Sequence, residues 1–324
     1  MIAPLRLVAL LSVAAASTRD EPAGFLFVAN EGAFMGKGAL GDLEEALRGA
    51  CATGHPVRLV VDTPADAAAA RPPCDGIDVV VLRADPRVGG AATFRDGIEA
   101  NATGTDRQRH AFLALMRRFK LEAIAAGLDA AFPGGTVYLD NDVSVRAGAS
   151  ASEALFAVFD VMRRAKKAVG IAEAPMCLGR GAAHRDDMIP DDFCERNSGV
   201  VFFGDAETSR SLVADWLAEF EARPSRDGHD QQALRRVLWR RRDELYDVPG
   251  GIQCRGLRLD EAGVRRPKRR SCDPCERDAA GHRPLLWHDH QPTLRENAAR
   301  HALLSNGSLC GFAVAAPPGR PGSG

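Results

Sequence analysis

Residues 133–142 read Pro-Gly-Gly-Thr-Val-Tyr-Leu-Asp-Asn-Asp. A Pro-Gly-Gly turn leads into Thr136, Val137, Tyr138 and Leu139, a β-branched, aromatic and aliphatic run that predicts a short buried strand. The run ends in two carboxylates, Asp140 and Asp142, separated by Asn141. That ending constrains the fold, because paired carboxylates are too costly to carry on into an apolar core. The strand must stop at an edge of its sheet, and in an open α/β sheet ligands bind just outside the carboxyl ends of the strands. Two carboxylates at such an edge make a seat for a hard divalent cation, which can hold a diphosphate through its oxygens. The plainer reading is a solvated turn in which Asp and Asn bond nearby backbone. The hydrophobic strand in front of the pair favours the metal seat.

The rest of the chain alternates in the same way. Residues 25–30, 57–62, 77–82, 168–172 and 199–203 read as strands, with Leu286–His288 as a last short one. Residues 40–52, 106–128, 205–221 and 230–241 read as helices, the longest marked by Phe112, Leu115, Phe119 and Ile124. Ser150 and Glu153 have the spacing of a capping box opening a helix through Arg164. Strands alternating with helices predict an α/β sandwich with a mostly parallel sheet. At 324 residues, 45% apolar and 26% charged, the chain is long enough for one large or two modest domains. A formal net charge of −1 gives no bulk electrostatic case for nucleic acid or an anionic membrane surface.

Residues 7–16 are almost wholly apolar and are followed by small residues around Ala16 and Ser17, which predicts a secretory signal peptide over 1–17. The run is short for a membrane span; an uncleaved anchor or a first buried strand are the alternatives. The eight cysteines are even in number, as disulfide pairing requires. Asn101 and Asn306 stand in N-glycosylation sequons. Together these predict a secretory route, in the Golgi lumen or outside the cell. Residues 255–284 are rich in Arg, Lys and Pro and contain Cys272-Asp-Pro-Cys275, while the Pro- and Gly-rich end of the 293–324 extension reads as a flexible tail.

Four further features follow in order. Arg118 and Lys120 lie on the helix that feeds the Asp140 strand. Glu195-Arg-Asn-Ser-Gly199 leads into a hydrophobic strand, His229-Asp-Gln231 opens a helix, and Leu285-Leu-Trp-His288-Asp-His290 comes late. Singly, these are a solvated helix face, turn residues around Asn197 and Ser198, an N-cap at Asp230 and a core histidine. As an ordered set, Tyr138-Leu139-Asp140-Asn141-Asp142, Asn197-Ser198-Gly199-Val200, Asp230-Gln231 and His288 resemble the nucleotide-diphospho-sugar transferase families. These are glycosyltransferases of the GT-A fold, and the resemblance covers about residues 24–292. Tyr246 to Arg255 resembles a further segment of some members, with Gln253 where they carry Asn.

The resemblance implies a GT-A-like α/β/α sandwich with a mixed, mostly parallel central sheet. It implies Asp142 as a ligand of manganese or magnesium, Asp140 as a ligand of the metal, the ribose or both, and His288 as the late ligand, with His290 competing. Lys120 would neutralise the diphosphate and Asn30, ending the first strand, would meet the nucleotide. Asn197, Asp230 and Gln231 would line the donor-sugar or acceptor pocket; in an inverting enzyme Asp230 would be the base on the acceptor hydroxyl, and a retaining enzyme would use it differently. The implied donor is a nucleotide sugar, a UDP-sugar by resemblance, and the implied acceptor a glycan or glycoprotein hydroxyl.

Rival readings use the same residues. A haloacid-dehalogenase-type phosphohydrolase would take Asp140 as nucleophile, Asp142 as acid/base, and Lys166 or Lys167 with Gly204-Asp205 for later roles. A non-catalytic sugar-nucleotide or glycan-binding protein would keep the fold without the chemistry. Cys254, Cys272, Cys275, His282 and His288 match no common zinc spacing. A thioredoxin-like role for Cys272 and Cys275 does not suit a late basic loop. The run 265–270 reads as a solvated loop, with an acidic glycan or membrane phosphates as weaker alternatives.

Overall fold

The computed structural model describes residues 22–30, 39–70, 72–83, 105–130, 132–145, 149–173, 189–190, 193, 195–223, 230–248, 252–255, 257–259, 265–267 and 286–288. The predicted signal peptide, both sequons, His229, His282, His290, the Cys272–Cys275 pair and the C-terminal extension lie outside these residues.

Six helices and twelve strands are described. The strands are β1 (Gly24–Ala29), β2 (Val57–Val61), β3 (Asp78–Val81), β4 (Thr136–Leu139), β5 (Val143–Val145), β6 (Val169–Glu173), β7 (Arg196–Phe203), β8 (Leu245–Asp247), β9 (Gln253–Arg255), β10 (Leu257–Leu259), β11 (Arg265–Pro267) and β12 (Leu286–His288). The helices are α1 (Ala39–Cys51), α2 (Pro64–Ala69), α3 (Asp106–Asp129), α4 (Ala149–Arg164), α5 (Ala206–Ala222) and α6 (Gln231–Arg240). The central sheet has seven strands in the order β3-β2-β1-β4-β7-β6-β8. Only β7 runs against its neighbours, pairing antiparallel with β4 and with β6. Two further small sheets have the orders β5-β12-β9 and β10-β11.

The inner strands β1, β4 and β7 are buried throughout and β2 nearly so, as expected for a sheet covered by helices on either side, while the edge strands β3 and β8 are partly exposed. Alternate residues feed two separate cores. Phe25, Phe27, Leu59, Val137 and Phe202 face Leu43 and Leu47 of α1 and Phe156, Phe159 and Met162 of α4. Leu26, Val28, Val60, Tyr138 and Val201 face α3, α5 and α6 through Ile124, Leu128, Trp216, Phe220 and Leu234. The result is the expected α/β/α sandwich with a mixed, mostly parallel sheet. The turn before β4 needs its glycine twice over: Gly135 has φ +118°, and a Cβ there would meet the Phe159 ring at 2.7 Å.

Two local expectations are corrected, and one strand is new. Helix α4 already includes Ala149, so Ser150 does not stand at its N-cap; the spacing matched but the helix began earlier. Asn197 and Ser198 are not turn residues, because β7 begins at Arg196 and pairs with β6 from there. The strand at residues 143–145 was not foreseen, since three residues carry too little periodicity. Cys51 and Cys74 form a disulfide across 23 positions, tying the end of α1 to the segment before β3. Among the described residues no helix is long and apolar enough to cross a membrane.

Candidate functional site

The direction of the strands gathers the chemical groups at one edge. The carboxyl ends of the parallel strands deliver Asn30, Asp62 and Asp140 there, and the antiparallel β7 delivers Asn197 from its amino end. Asp140 continues the ladder by donating its backbone N–H to the carbonyl of Gly199 at 2.8 Å, and its own carbonyl accepts from Val143 at 3.0 Å. This turn swings the chain from β4 into β5 and sets Asp140, Asn141 and Asp142 across the mouth of the sheet. The Asn141 Oδ1 is buried and accepts no hydrogen bond among the described residues; it stands between two carboxylates.

The side chain of Lys120 comes up from α3 beneath this turn. Its Nζ lies 3.1 Å from Asp140 Oδ1 and 3.3 Å from Asp230 Oδ2. It also donates to the Ser198 carbonyl at 3.0 Å and to Ser198 Oγ at 3.3 Å. The rings of Tyr138 and Trp216 lie 5.3 and 5.9 Å away. Three N–H donors thus face four oxygens, and Lys120 is 4% exposed. The expected role of Lys120 as a free countercharge for a diphosphate therefore meets an ammonium already engaged on every side.

Asp230 lies at the N-cap position of α6, but its side chain makes no capping bond. It is 1% exposed, and Arg117 Nε stands 3.7 Å from its Oδ1. Trp216 donates its indole N–H to the Asp230 carbonyl at 3.0 Å, fixing the start of the helix. Burial pushes the Asp230 carboxyl up, yet Lys120 and then Arg117 outweigh it and hold the group below its ordinary value. Asp230 is a locked anion. Burial, and then the charge of Asp140, raise the Tyr138 phenol well above its ordinary value, so the hydroxyl stays a donor to Asp140 Oδ1.

Arg117 was missed in the sequence, where Arg118 drew attention. Residues three apart share a helix face while adjacent ones do not. Arg117 therefore joins Lys120, and Arg118 turns to solvent to pair with Glu122 and Glu221. Arg117 feels the field of Asp230, Asp140, Tyr138 and Asp142 in that order, after the opposing effect of burial.

The remaining expected residues fall as follows. Asn30 is 1% exposed and donates to Met116 Sδ at 3.3 Å, so it ends β1 at this edge with its amide turned towards α3. Asn197 is buried and accepts the Gly199 N–H at 3.0 Å, bracing the strand that supports Asp140. Gln231 is half-buried at the first position of α6. His288 stands opposite Val143 in the β12–β5 ladder, so its backbone lies one register position from Asp142. Its side chain is outside the description, and among the described residues no group of three or more His, Cys, Asp or Glu is arranged to hold a metal.

The phosphohydrolase assignments do not converge. Lys166 and Lys167 precede β6, and Gly204 and Asp205 follow the antiparallel β7, so all four lie at the edge opposite Asp140. Asp205 caps α5 through the Thr208 N–H. Sequence reading also passed over Asp62, which is 1% exposed at the end of β2. Burial raises its carboxyl, Arg83 opposes this, and Asp66 and Glu122 add to it.

No protein-family model matches the chain, and no curated protein matches it. Solved structures do. A galactosyltransferase, LgtC, in complex with donor and acceptor sugar analogs is 15% identical, with 91% of this chain and 98% of that chain covered and a TM-score of 0.47. Mouse xyloside xylosyltransferase 1 is 13% identical over 72% of this chain and 86% of that one, with a TM-score of 0.41. The glycosyltransferase GlyE of Streptococcus pneumoniae is 15% identical over 90% of this chain and 62% of that one, with a TM-score of 0.42. The chain is similar in structure to these glycosyltransferases, and the functional reading stands on the site itself.

Proposed function

We propose that the chain is a metal-dependent glycosyltransferase that moves a sugar from a nucleotide diphosphate, a UDP-sugar, to a hydroxyl of a glycan or glycoprotein. The observation that carries this reading is the carboxylate pair at the end of β4, with His288 in register beside it. The donor set fits manganese or magnesium: hard oxygens at a strand end, with a buried Asn141 oxygen between them that accepts no hydrogen bond among the described residues. Asp140 and Asp142 would hold the ion, with His288 as the third ligand. When bound, the ion would offset the negative charge that develops on the leaving diphosphate.

The other residues have work that needs no ion. Arg117, 31% exposed in its side chain, is a cation among the described residues that can reach towards the phosphates. Lys120 is committed to Asp140 and Asp230 and acts by holding them. Asp230 fixes Lys120 and Arg117 in turn. A base role for it would require an acceptor hydroxyl to reach a carboxylate that two cations already occupy. Gln231, half-buried at the helix start, offers its amide to a sugar hydroxyl. Asn30 marks the nucleotide side of the edge. The Cys51–Cys74 bridge supports an oxidising, secretory setting.

The test is a screen of nucleotide sugars for transfer and slow hydrolysis with and without manganese. A manganese-dependent release of nucleoside diphosphate from one of them is the expected result. No release from any, with or without metal, would overturn the reading.

A further inference from the structure

Asp140 presents its two oxygens unequally. Oδ1 accepts the Tyr138 hydroxyl and also faces the Lys120 ammonium at 3.1 Å. Among the described residues no partner stands on Oδ2, and the Asp140 side chain is 19% exposed. Tyr138 and Asp140 are two apart, so their side chains leave the sheet on the same face. The phenol therefore reaches its own strand's carboxylate from the buried side. Tyr138 is 1% exposed and Lys120 is 4% exposed, so both donors approach from the protein interior.

We infer that Tyr138 is a positioning residue: its hydrogen bond, together with the Lys120 charge paired to the same oxygen, occupies Asp140 Oδ1, so that Asp140 turns its Oδ2 towards a ligand. A carboxylate held on one oxygen by a hydrogen bond and an ion pair resists the rotation that chelation needs, and its open oxygen keeps one direction. Partners of this kind orient the groups that ligate a cation, and losing one costs about 10–100-fold in metal affinity. The inference rests on the reading of Asp140 and Asp142 as a cation seat.

The experiment compares four full-length proteins by calorimetric titration with manganese in the presence of UDP: wild type, Tyr138→Phe, Tyr246→Phe and Asp142→Ala. Tyr138→Phe keeps the buried ring and deletes only the donor. The other tyrosine of the chain lies on β8 and serves as the control for a lost phenol. Thermal melts accompany each protein, and the electron paramagnetic spectrum of bound manganese reports a change of coordination that a packing defect alone would not produce. The expected result is a Kd raised at least about tenfold with an altered spectrum in Tyr138→Phe, unchanged behaviour in Tyr246→Phe, and no binding in Asp142→Ala. Binding lost in Asp142→Ala but unchanged in Tyr138→Phe would overturn the inference and leave the metal reading standing. Absence of binding in the wild type, or undiminished binding in Asp142→Ala, would overturn both.

Discussion

The Nζ of Lys120 lies 3.3 Å from Oδ2 of Asp230, an ion pair that joins α3 to the N-cap of α6 beneath the sheet edge. Both side chains are nearly inaccessible, at 5% and 2% exposure. Removing one partner of such a pair strands the other charge in a poorly solvated place.

Asp230→Asn is therefore expected to lower stability as well as activity. Asn caps a helix about as well as Asp, so a capping Asp230 would tolerate the change. The observed side chain makes no capping bond and instead balances Lys120 and Arg117. The expected loss is about 3 kcal/mol by urea denaturation. A midpoint equal to that of wild type would show that the pair does not hold the fold.

Arg117→Ala is expected to weaken binding of a nucleoside diphosphate by about tenfold, the scale of a hydrogen bond to a charged group. Arg118→Ala, on the exposed face with Glu122 and Glu221, is expected to leave it unchanged. Fluorescence titration of both variants decides the matter. Equal effects, or a larger one from Arg118, would reverse the assignment.

Asp62 gives a pH prediction. Its folded carboxyl is raised above its ordinary value, so the folded state binds its proton more readily than the unfolded chain does. Stability then falls as pH rises from the unfolded value through the folded one. Asp62→Asn removes this slope and is expected to raise Tm at pH 7, with a gain that shrinks as the pH is brought down towards the ordinary carboxylate range. A Tm lowered at pH 7 would mean that the Arg83 pair, at 3.3 Å, outweighs the burial.

Replacing Cys51 and Cys74 by Ser is expected to cost about 3 kcal/mol, the loop-closure value for a bridge of this span. Calorimetric melts of oxidised wild type and the double variant measure it. Equal Tm values would show that α1 and the approach to β3 are held by packing alone.

The sandwich was legible because period-2 and period-3.6 patterns alternate in clear blocks: residues 57–62 and 106–128 lie within a residue or two of β2 and α3. What the pattern missed had physical causes. Strand β5 is three residues long, and the turn at Asp140–Asn141 that makes it is encoded by the same carboxylates that suggested a ligand. The order of strands, which brings β7 beside β4 and so sets Asn197 and Ser198 beneath Asp140, arises from long-range pairing that local propensity does not record. Arg117 was hidden by Arg118, and only helix phase against a buried neighbour such as Lys120 distinguishes them. The state of Lys120 was illegible as well. A lysine on an amphipathic helix reads as solvent-facing, and its burial depends on Trp216 and Asp230, about a hundred residues further on.

The most direct measurement is calorimetric titration of UDP into the wild-type protein and into Asp142→Ala, each with and without manganese, alongside a thermal melt. The predicted result is manganese-dependent binding in the wild type, its loss in Asp142→Ala, and a Tm that moves little, since Asp142 is half-buried at the mouth of the sheet. Undiminished manganese-dependent binding in Asp142→Ala would contradict the assignment of the β4 edge as the cation seat.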